Sequence, residues 1–409
     1  MENFNANNFS GLSLDHLGLV VDQTDNLGII SSIDERLPLA GGCGVKTTMG
    51  ERVAAMIFNG LGFIDTRLYM FPEFLEKKPV ERLFSKDLKT DWFNDDATGR
   101  CLDAISKYGT TKLFTELSFS IGIKHKLLVR SANFDTSTLQ LSGEYPDCEP
   151  TKDQAVVPAR GYSKSHRHDL KQMVINLATT GKANFPICME SHSGNVSDKK
   201  ILPAAAHRMK ELSDSLKEAP SLNMYVGDSA LYSNILEFST KMKWLTRVPS
   251  NILQAKRLLK SSDEKLNWLN LGEEYNYHVA ESNYGNVQQR WVLIFSKQAY
   301  KREITTLTNN ITKEFTAQEK VWKNISKKLF INKVEAEIQI KNLTKKIKFH
   351  KITSNILELI EHEGRGRPNK NTEIKIKGYK IEFSIERDEA RINLAKIQKG
   401  RFILSTNEL

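Results

Sequence analysis

The most constraining feature of this sequence is the order of strand and helix signals between residues 127 and 248. Three segments rich in β-formers come first, and Thr179-Thr180-Gly181-Lys182 between the last two has the form of a hairpin turn. The predicted strands are 127–141, 173–178 and 185–191, followed by a helix at 198–217, a strand at 223–228, a helix at 234–241 and a strand at 244–248. This order predicts a mixed sheet covered by helices.

The same order is that of the ribonuclease H fold. Because crossover connections are short and right-handed, a helix leaving the third strand can place the fourth strand parallel to the first. Asp135 lies inside the first predicted strand and Asp228 ends the fourth, so the two carboxylates could meet. Such a pair suits a divalent metal that acts on a phosphodiester. The alternative is that each Asp is an ordinary strand-end or turn residue.

The sequence on either side of these strands predicts a helical amino-terminal region and an inserted subdomain. Residues 1–115 read as mostly helical, with apolar residues at helix spacing in 51–58 and 99–117, as in a DNA-recognition module or any helical bundle. Residues 116–249 form the first part of the core, 250–399 an inserted subdomain rich in long helices, and 400–409 the start of a returning core strand. Within the insertion we expect strands at 290–296 and 374–385, an irregularity at Gly378, and helix from 297 to about 350.

Composition narrows the function classes. The chain has 59 Lys and Arg against 49 Asp and Glu, a net charge of +10 and a pI near 9.2, which favours a polyanionic partner. No apolar run approaches the roughly 18 residues of a membrane span, and the four cysteines form no CxxC pair. The strings GxxxxGK[ST], HExxH and GxSxG do not occur. We therefore expect a cytoplasmic protein that uses neither a membrane nor ATP.

Four ordered segments resemble motifs of DDE transposases from bacterial insertion sequences. They are Asn133-Phe134-Asp135-Thr136-Ser137, the basic run 161–172, Gly227-Asp228-Ser229-Ala230-Leu231-Tyr232-Ser233 and the strand-like run 400–407. The branch that the chain resembles has a helical amino-terminal domain, a ribonuclease H-like core of α/β type and a long, mainly helical insertion. The resemblance covers nearly the whole chain.

The resemblance implies metal-dependent DNA cleavage at the ends of a mobile element, followed by strand transfer. Asp135 and Asp228 would be the catalytic residues and the ligands of Mg²⁺, or of Mn²⁺ in its place. The amino-terminal domain would recognise terminal inverted repeats in double-stranded DNA. A homodimer would act in a synaptic complex, associated with the nucleoid in the bacterial cytoplasm.

The chain departs from the family pattern at its third acid. In the family a Glu follows the strand that corresponds to 401–406, on a helix, whereas Glu408 here lies at the strand exit and is not taken as a ligand. We therefore expect a truncated transposase with weak or no activity. The alternatives are a catalytically dead DNA-binding remnant that inhibits intact transposase, and a structure-specific nuclease on the same fold.

Two basic segments are candidates for DNA contact. In the run 161–172 the side chains Ser163, Lys164, His166, Arg167 and Lys171 could contact phosphates. The alternative for this run is a solvated loop, or a metal cluster of His166, His168 and Asp169. Arg365 and Arg367 have the spacing of a minor-groove clamp, with a basic linker as the alternative description.

Overall fold

The chain divides into two compact units, Met1–Leu245 and Thr246–Leu409. The computed structural model describes residues 11–39, 45–63, 66–84, 86, 88–147, 156–163, 165–215, 222–232, 242–345, 347–362 and 374–409. The helix predicted at 234–241 lies outside these ranges. The described residues form a mixed α/β structure with a large mixed sheet.

The first unit begins with helices and continues with strands. Its helices are α1 (Leu17–Leu27), α2 (Ile29–Arg36), α3 (Met49–Gly60), α4 (Phe71–Glu76), α5 (Val80–Phe84), α6 (Asp95–Tyr108), α7 (Thr110–Lys124), α8 (Asp198–Ser215) and α9 (Ser229–Tyr232). Its strands are β1 (Ser131–Leu141), β2 (Lys171–Thr180), β3 (Phe185–Ser193), β4 (Met224–Gly227) and β5 (Lys243–Arg247), the last of which crosses the unit boundary.

Local sequence signals explain where the amino-terminal helices begin and end. Thr48 and Glu51 form a capping box that starts α3, and the side chain of Asn94 accepts from the backbone N–H of Ala97 to start α6. Gly109, at φ 102°, separates α6 from α7, so the predicted helical run 99–117 is two helices. Apolar side chains from α1, α3, α4 and α5 share one core around Phe58.

The sheet of the first unit has the strand order β3-β2-β1-β4-β5. Strands β1, β2 and β3 pair antiparallel, whereas β4 pairs with β1 in parallel, from Ser131 opposite Met224 to Asn133 opposite Val226. This confirms the predicted parallel placement of the fourth strand beside the first. Helix α8 makes the connection from β3, and its residues Leu202, Ala205 and Met209 lie in the core beneath the sheet.

The second unit contains four strands paired side by side and a separate two-stranded ribbon formed by β9 and β10. Its helices are α10 (Leu253–Leu259), α11 (Lys297–Ser326), α12 (Lys333–Thr344) and α13 (Glu389–Ile397), and its strands are β6 (Leu269–Leu271), β7 (Tyr275–Ser282), β8 (Gln289–Ser296), β9 (His350–His362), β10 (Ile374–Arg387) and β11 (Arg401–Thr406). The strand order is β11-β8-β7-β6, and β9 pairs with β10 alone. The ribbon packs its Ile381 against Trp322 of α11.

The second unit contains both the long helical segment expected in the insertion and strands that were not expected there. The strands at 290–296 and 374–385 and the irregularity at Gly378 are confirmed, but β6, β7 and β9 were not predicted. β6 has only three residues, and in β9 apolar residues stand side by side at 356–357 and 359–360, so neither strand shows a sustained apolar alternation. None of the helices in the described ranges combines the length and the hydropathy that a bilayer-spanning segment needs.

We predict that Gly50→Ala destabilises the first unit. A Cβ at residue 50 would lie 2.2 Å from the backbone oxygen of Ile30, so α2 and α3 would have to separate. The matched control is Gly60→Ala in the same helix, where a Cβ meets no atom within 4 Å. Denaturant unfolding should show a loss of about 2 kcal/mol or more for Gly50→Ala. For Gly60→Ala we expect no loss, because Ala favours helix. Equal stabilities of the two variants would contradict the close α2–α3 packing.

Candidate active site

Asp135 lies in the first half of β1, on the face of the strand opposite the core. Phe134 and Thr136 on either side of it are buried, whereas Asp135 is exposed. Alternation of side chains along a strand produces this difference. The Oδ1 atom of Asp135 accepts a hydrogen bond from the backbone N–H of Thr136 at 2.8 Å. The carboxylate is therefore held on its own strand and open to solvent.

Asp228 is the first residue after β4 and is also exposed. Its Oδ1 atom accepts from the backbone N–H of Ala230 at 2.8 Å, and its carbonyl oxygen accepts from Leu231 at 3.2 Å. These bonds start the short helix α9 and fix the turn at the end of the strand. Both carboxylates are exposed, so neither pays the cost of a buried charge in its β-rich segment.

The register of β1 and β4 aligns the two aspartates. Each printed pair of residues on these parallel strands differs by 93 positions, as in Ala132 opposite Tyr225, and Asp135 and Asp228 also differ by 93. Continuing the register by two residues places them at the same level, where neighbouring strands are about 4.8 Å apart. Because residues at one level of neighbouring strands point to the same face, this register favours a close approach of the two predicted acids.

The donor set of this pair fits a hard divalent cation. Two carboxylates supply oxygen ligands of the kind that Mg²⁺ and Mn²⁺ prefer, and solvent exposure leaves room for water and phosphate oxygens. Within the described ranges no group of three or more His, Cys, Asp or Glu side chains could hold a metal ion. His166, His168 and Asp169, all within the described ranges, therefore do not form such a group.

The basic run 161–172 is anchored to the far end of β1. Ser163 is only 2% exposed, and its hydroxyl accepts from the backbone N–H of Arg167 at 3.0 Å and lies 3.3 Å from the side-chain nitrogen of Gln140. Gln172 also holds the run, because its side-chain nitrogen donates to the carbonyl oxygens of Tyr162 and Gly194. The Ser163 hydroxyl therefore orders the loop in this structure.

The charged side chains of the same run differ in their ion pairs and in their exposure. Arg167 donates to both oxygens of Asp169, at 2.9 and 2.7 Å, and the guanidinium lowers the pKa of Asp169 to about 2. The Nζ atom of Lys171 lies 2.5 Å from both the carbonyl oxygen of Tyr145 and the carboxylate of Asp147. His166 is exposed, with a positive φ of 62°. Of the predicted DNA contacts within the described residues, His166 and Arg167 are exposed, whereas Ser163 is buried and Lys171 is half-buried.

This basic run and the two aspartates lie at different places on the sheet. Gln140, which contacts Ser163, is five residues beyond Asp135 in β1, or about 16 Å at about 3.3 Å per residue. The structure therefore does not bring the predicted DNA contacts next to the carboxylate pair. Lys164, Arg365 and Arg367 lie outside the described residues.

Sequence reasoning missed a buried polar cluster on the covered face of the sheet. Glu190 on β3 is buried, and both its oxygens accept from Arg208 of α8, at 2.7 and 2.8 Å. Burial alone would raise the pKa of Glu190, but hydrogen bonds from His192 and Arg208 outweigh it and lower the pKa to about 2. The alternation of β3 marks position 190 as inward, which is the one local signal of this cluster.

Comparison with known proteins gives two similarities. Residues 10–119 match a family described as a domain of unknown function, DUF4277, which ends before either aspartate. No curated protein matches the chain. The chain is similar to a cryo-EM structure of a piggyBac transposase synaptic complex with hairpin DNA, with a TM-score of 0.32, 14% identity and coverage of 68% of this chain and 58% of that one. It therefore spans less than two thirds of that transposase, and a similarity at this level does not establish a shared fold.

We predict that Arg208 stabilises the fold in a pH-dependent way. Because the pKa of Glu190 is lowered from an ordinary value of 4.5 to about 2, its stabilisation is complete above about pH 4.5 and disappears as the pH falls towards 2. Arg208→Ala should lower the free energy of unfolding at pH 7 by about 2 kcal/mol, less than for a fully buried pair because Arg208 is half-exposed. It should also flatten the pH dependence between 4.5 and 2.

The matched control is Lys210→Ala on the same helix, which removes a surface ion pair with Asp214 and should cost less than about 1 kcal/mol. Denaturant unfolding at several pH values measures both variants. Equal losses for the two variants would contradict a stabilising role of the Glu190–Arg208 pair.

Proposed function

We propose that this chain is a DDE-type transposase of a bacterial insertion sequence, in which Asp135 and Asp228 hold the catalytic metal. The observation that carries this proposal is the parallel register of β1 and β4, which, continued by two residues, would bring Asp135 level with Asp228. The strand order β3-β2-β1-β4-β5 supports a ribonuclease H-like core beneath them. The four motifs in the sequence support the choice of transposase within that fold class.

Asp135 and Asp228 are positioned by different parts of the structure. Asp135 is held by the rigid centre of a sheet, whereas Asp228 is held by the turn into α9. One oxygen of each carboxylate accepts a backbone hydrogen bond, which orients the group. The chemistry that a bound Mg²⁺ would supply is activation of a water or 3′-hydroxyl and stabilisation of the leaving oxygen.

The proposed substrate is double-stranded DNA at the ends of the mobile element. The net charge of +10 favours association with a polyanion, and the exposed Arg167 and His166 are candidates for contact with the phosphate backbone. A separation of about 16 Å between this run and Asp135 would let one duplex engage both places, since it corresponds to about five base pairs. Such contacts would position the duplex without reading its sequence.

A second candidate function is DNA binding without catalysis. The observation that favours it is the lack of a third metal-ligating side chain beside the pair within the described residues. Two carboxylates alone would hold a metal loosely and align the leaving group poorly. Binding of DNA without metal-dependent cleavage would identify this function, whereas cleavage without preference for element ends would identify a structure-specific nuclease.

The first test is metal binding by the carboxylate pair. Titration of the full chain with Mn²⁺, followed by electron paramagnetic resonance, should show a weak site that is lost in Asp135→Asn and in Asp228→Asn. The control is Asp103→Asn, which changes an exposed carboxylate on α6 and should keep the site. Metal-dependent cleavage of a duplex that carries the DNA flanking the gene should likewise be lost in both Asp→Asn variants and kept in Asp103→Asn. Unchanged Mn²⁺ binding in both site variants would refute the metal role.

The second test concerns DNA contact by the basic run. Arg167→Ala should weaken binding to duplexes of any sequence and reduce the slope of log affinity against log salt concentration by about 1, the effect of one lost phosphate contact. Lys182→Ala, which removes an exposed charge from the turn between β2 and β3, is the control and should leave the slope unchanged. Fluorescence anisotropy over a range of salt concentrations measures both slopes. Identical slopes for the two variants would place the DNA elsewhere.

A further inference from the structure

The second unit contains a concave pocket that the proposed catalysis does not use. Three of its lining residues lie at one level of neighbouring strands, because Asn276 of β7 pairs with Phe295 of β8, and Phe295 pairs with Arg401 of β11. Residues at one level of neighbouring strands point to the same face of a sheet. The pocket has a volume of about 410 Å³, which is in the range of small-molecule sites.

Aromatic rings form a large part of the lining. Trp268, which directly precedes β6, packs edge-on against Phe295 with centroids 6.3 Å apart. Tyr300, in the first turn of α11, packs against Phe295 with centroids 5.5 Å apart. All three rings are half-buried, so each keeps part of its surface in solvent. Such rings are the surfaces on which nucleobases stack.

Hydrogen bonds from Arg401 and Asp263 hold the Trp268 ring in place. The Arg401 side chain is only 3% exposed and donates to the carboxylate of Asp263 at 2.6 Å and to two backbone carbonyl oxygens. The same Asp263 oxygen accepts from the indole Nε1 of Trp268 at 2.9 Å, and the guanidinium lies 5.5 Å from the ring centroid. The ring is therefore positioned before a ligand arrives, which lowers the cost of binding.

Two lysines at the end of α13 add positive charge to the lining. Lys396 is exposed, and Lys399 is half-buried, with its Nζ atom 3.8 Å from the carboxylate of Glu303. Together with Arg401 and Asp263, the lining carries three positive charges and one negative charge. This positive surplus favours an anionic ligand.

Gly400 brings the lysines close to the rings. Its φ of 70° lies in the left-handed region, and a Cβ there would lie 2.7 Å from the Cβ of Tyr300 and 2.8 Å from the carbonyl oxygen of Ser296. The carbonyl oxygen of Gly400 accepts from the backbone N–H of Ser296 at 2.8 Å. The turn from α13 into β11 therefore packs directly on the start of α11, so that Lys399 and Tyr300 line one pocket.

The combination of rings and cations indicates the chemistry of the ligand. A neutral aromatic compound would leave the lysines unused, and inorganic phosphate would leave the rings unused. A nucleotide uses both, because its base stacks on aromatic rings and its phosphate pairs with Lys. The Asn276 side chain adds an amide, which can donate to and accept from the edge of a base.

We propose that this pocket binds one nucleotide, with the base against the rings of Trp268 and Tyr300 and the phosphate at Lys396 and Lys399. Two sources supply this chemistry: a free nucleoside monophosphate, and an unpaired nucleotide of a single strand. Neither of the two candidate catalytic aspartates lines the pocket, so the proposal does not depend on metal binding.

The test is isothermal titration calorimetry of the full chain with deoxyadenosine monophosphate, deoxyadenosine, inorganic phosphate and a short single-stranded oligonucleotide of adenines. The monophosphate should bind at least about tenfold more tightly than the nucleoside or phosphate alone, because only it engages both parts of the pocket. Binding of the monophosphate identifies a free nucleotide as the source. Binding of the oligonucleotide without the monophosphate identifies an unpaired nucleotide of a strand.

Variants of the lining locate the binding. Lys396→Glu should weaken it by roughly tenfold, because a negative charge then lies beside the phosphate. Trp268→Leu should weaken it by roughly tenfold, because it removes a stacking surface. The matched control is Lys341→Glu on α12, since Lys341 and Lys396 are both exposed residues in the last turn of a helix, and it should leave binding unchanged.

Thermal unfolding of each variant checks its folding, and the exposed position of Lys396 keeps the test decisive if Trp268→Leu does not fold. A chain that binds neither the monophosphate nor the oligonucleotide would overturn the proposal. So would equal affinities for the monophosphate and for phosphate alone, or binding that Lys396→Glu leaves unchanged. Asp135→Asn should bind the nucleotide as the wild type does, so a failure of the catalytic proposal is distinguishable from a failure of this one.

Discussion

The parallel pairing of β1 with β4 is the interaction on which the candidate site depends. Those strands are distant in sequence and are joined through β2, β3 and α8, so their register is set by packing rather than by a turn. Phe134 of β1 and Tyr225 of β4 stack with centroids 5.9 Å apart on the buried face, above the apolar side of α8. A slip of one residue would move this pair out of the core and separate the levels of Asp135 and Asp228.

The sheet separates two uses of acidic side chains. On the covered face Glu190 is neutralised by Arg208, which offsets the cost of burying its charge and ties α8 to β3. Asp135 and Asp228 instead keep their solvent exposure, and each accepts a backbone hydrogen bond. The first arrangement serves stability, and the second keeps both carboxylates at the surface.

Charge is distributed unevenly along the chain. The helical region matched by the domain of unknown function is acidic. The positive charge lies in the remaining sequence, which includes the strands that carry the aspartates and the exposed Arg167.

The sequence by itself determined the elements that have strong local signals. The strands of the first unit, the helices α3, α8 and α11, and the irregularity at Gly378 follow from periodicity, capping and glycine, and both aspartates were found from their strand positions. Tertiary structure alone decided the parallel register of β1 and β4, the Glu190–Arg208 pair and the burial of Ser163. The physical reason is that each of these depends on contacts between residues far apart in the chain, which leave no periodic pattern within a single segment.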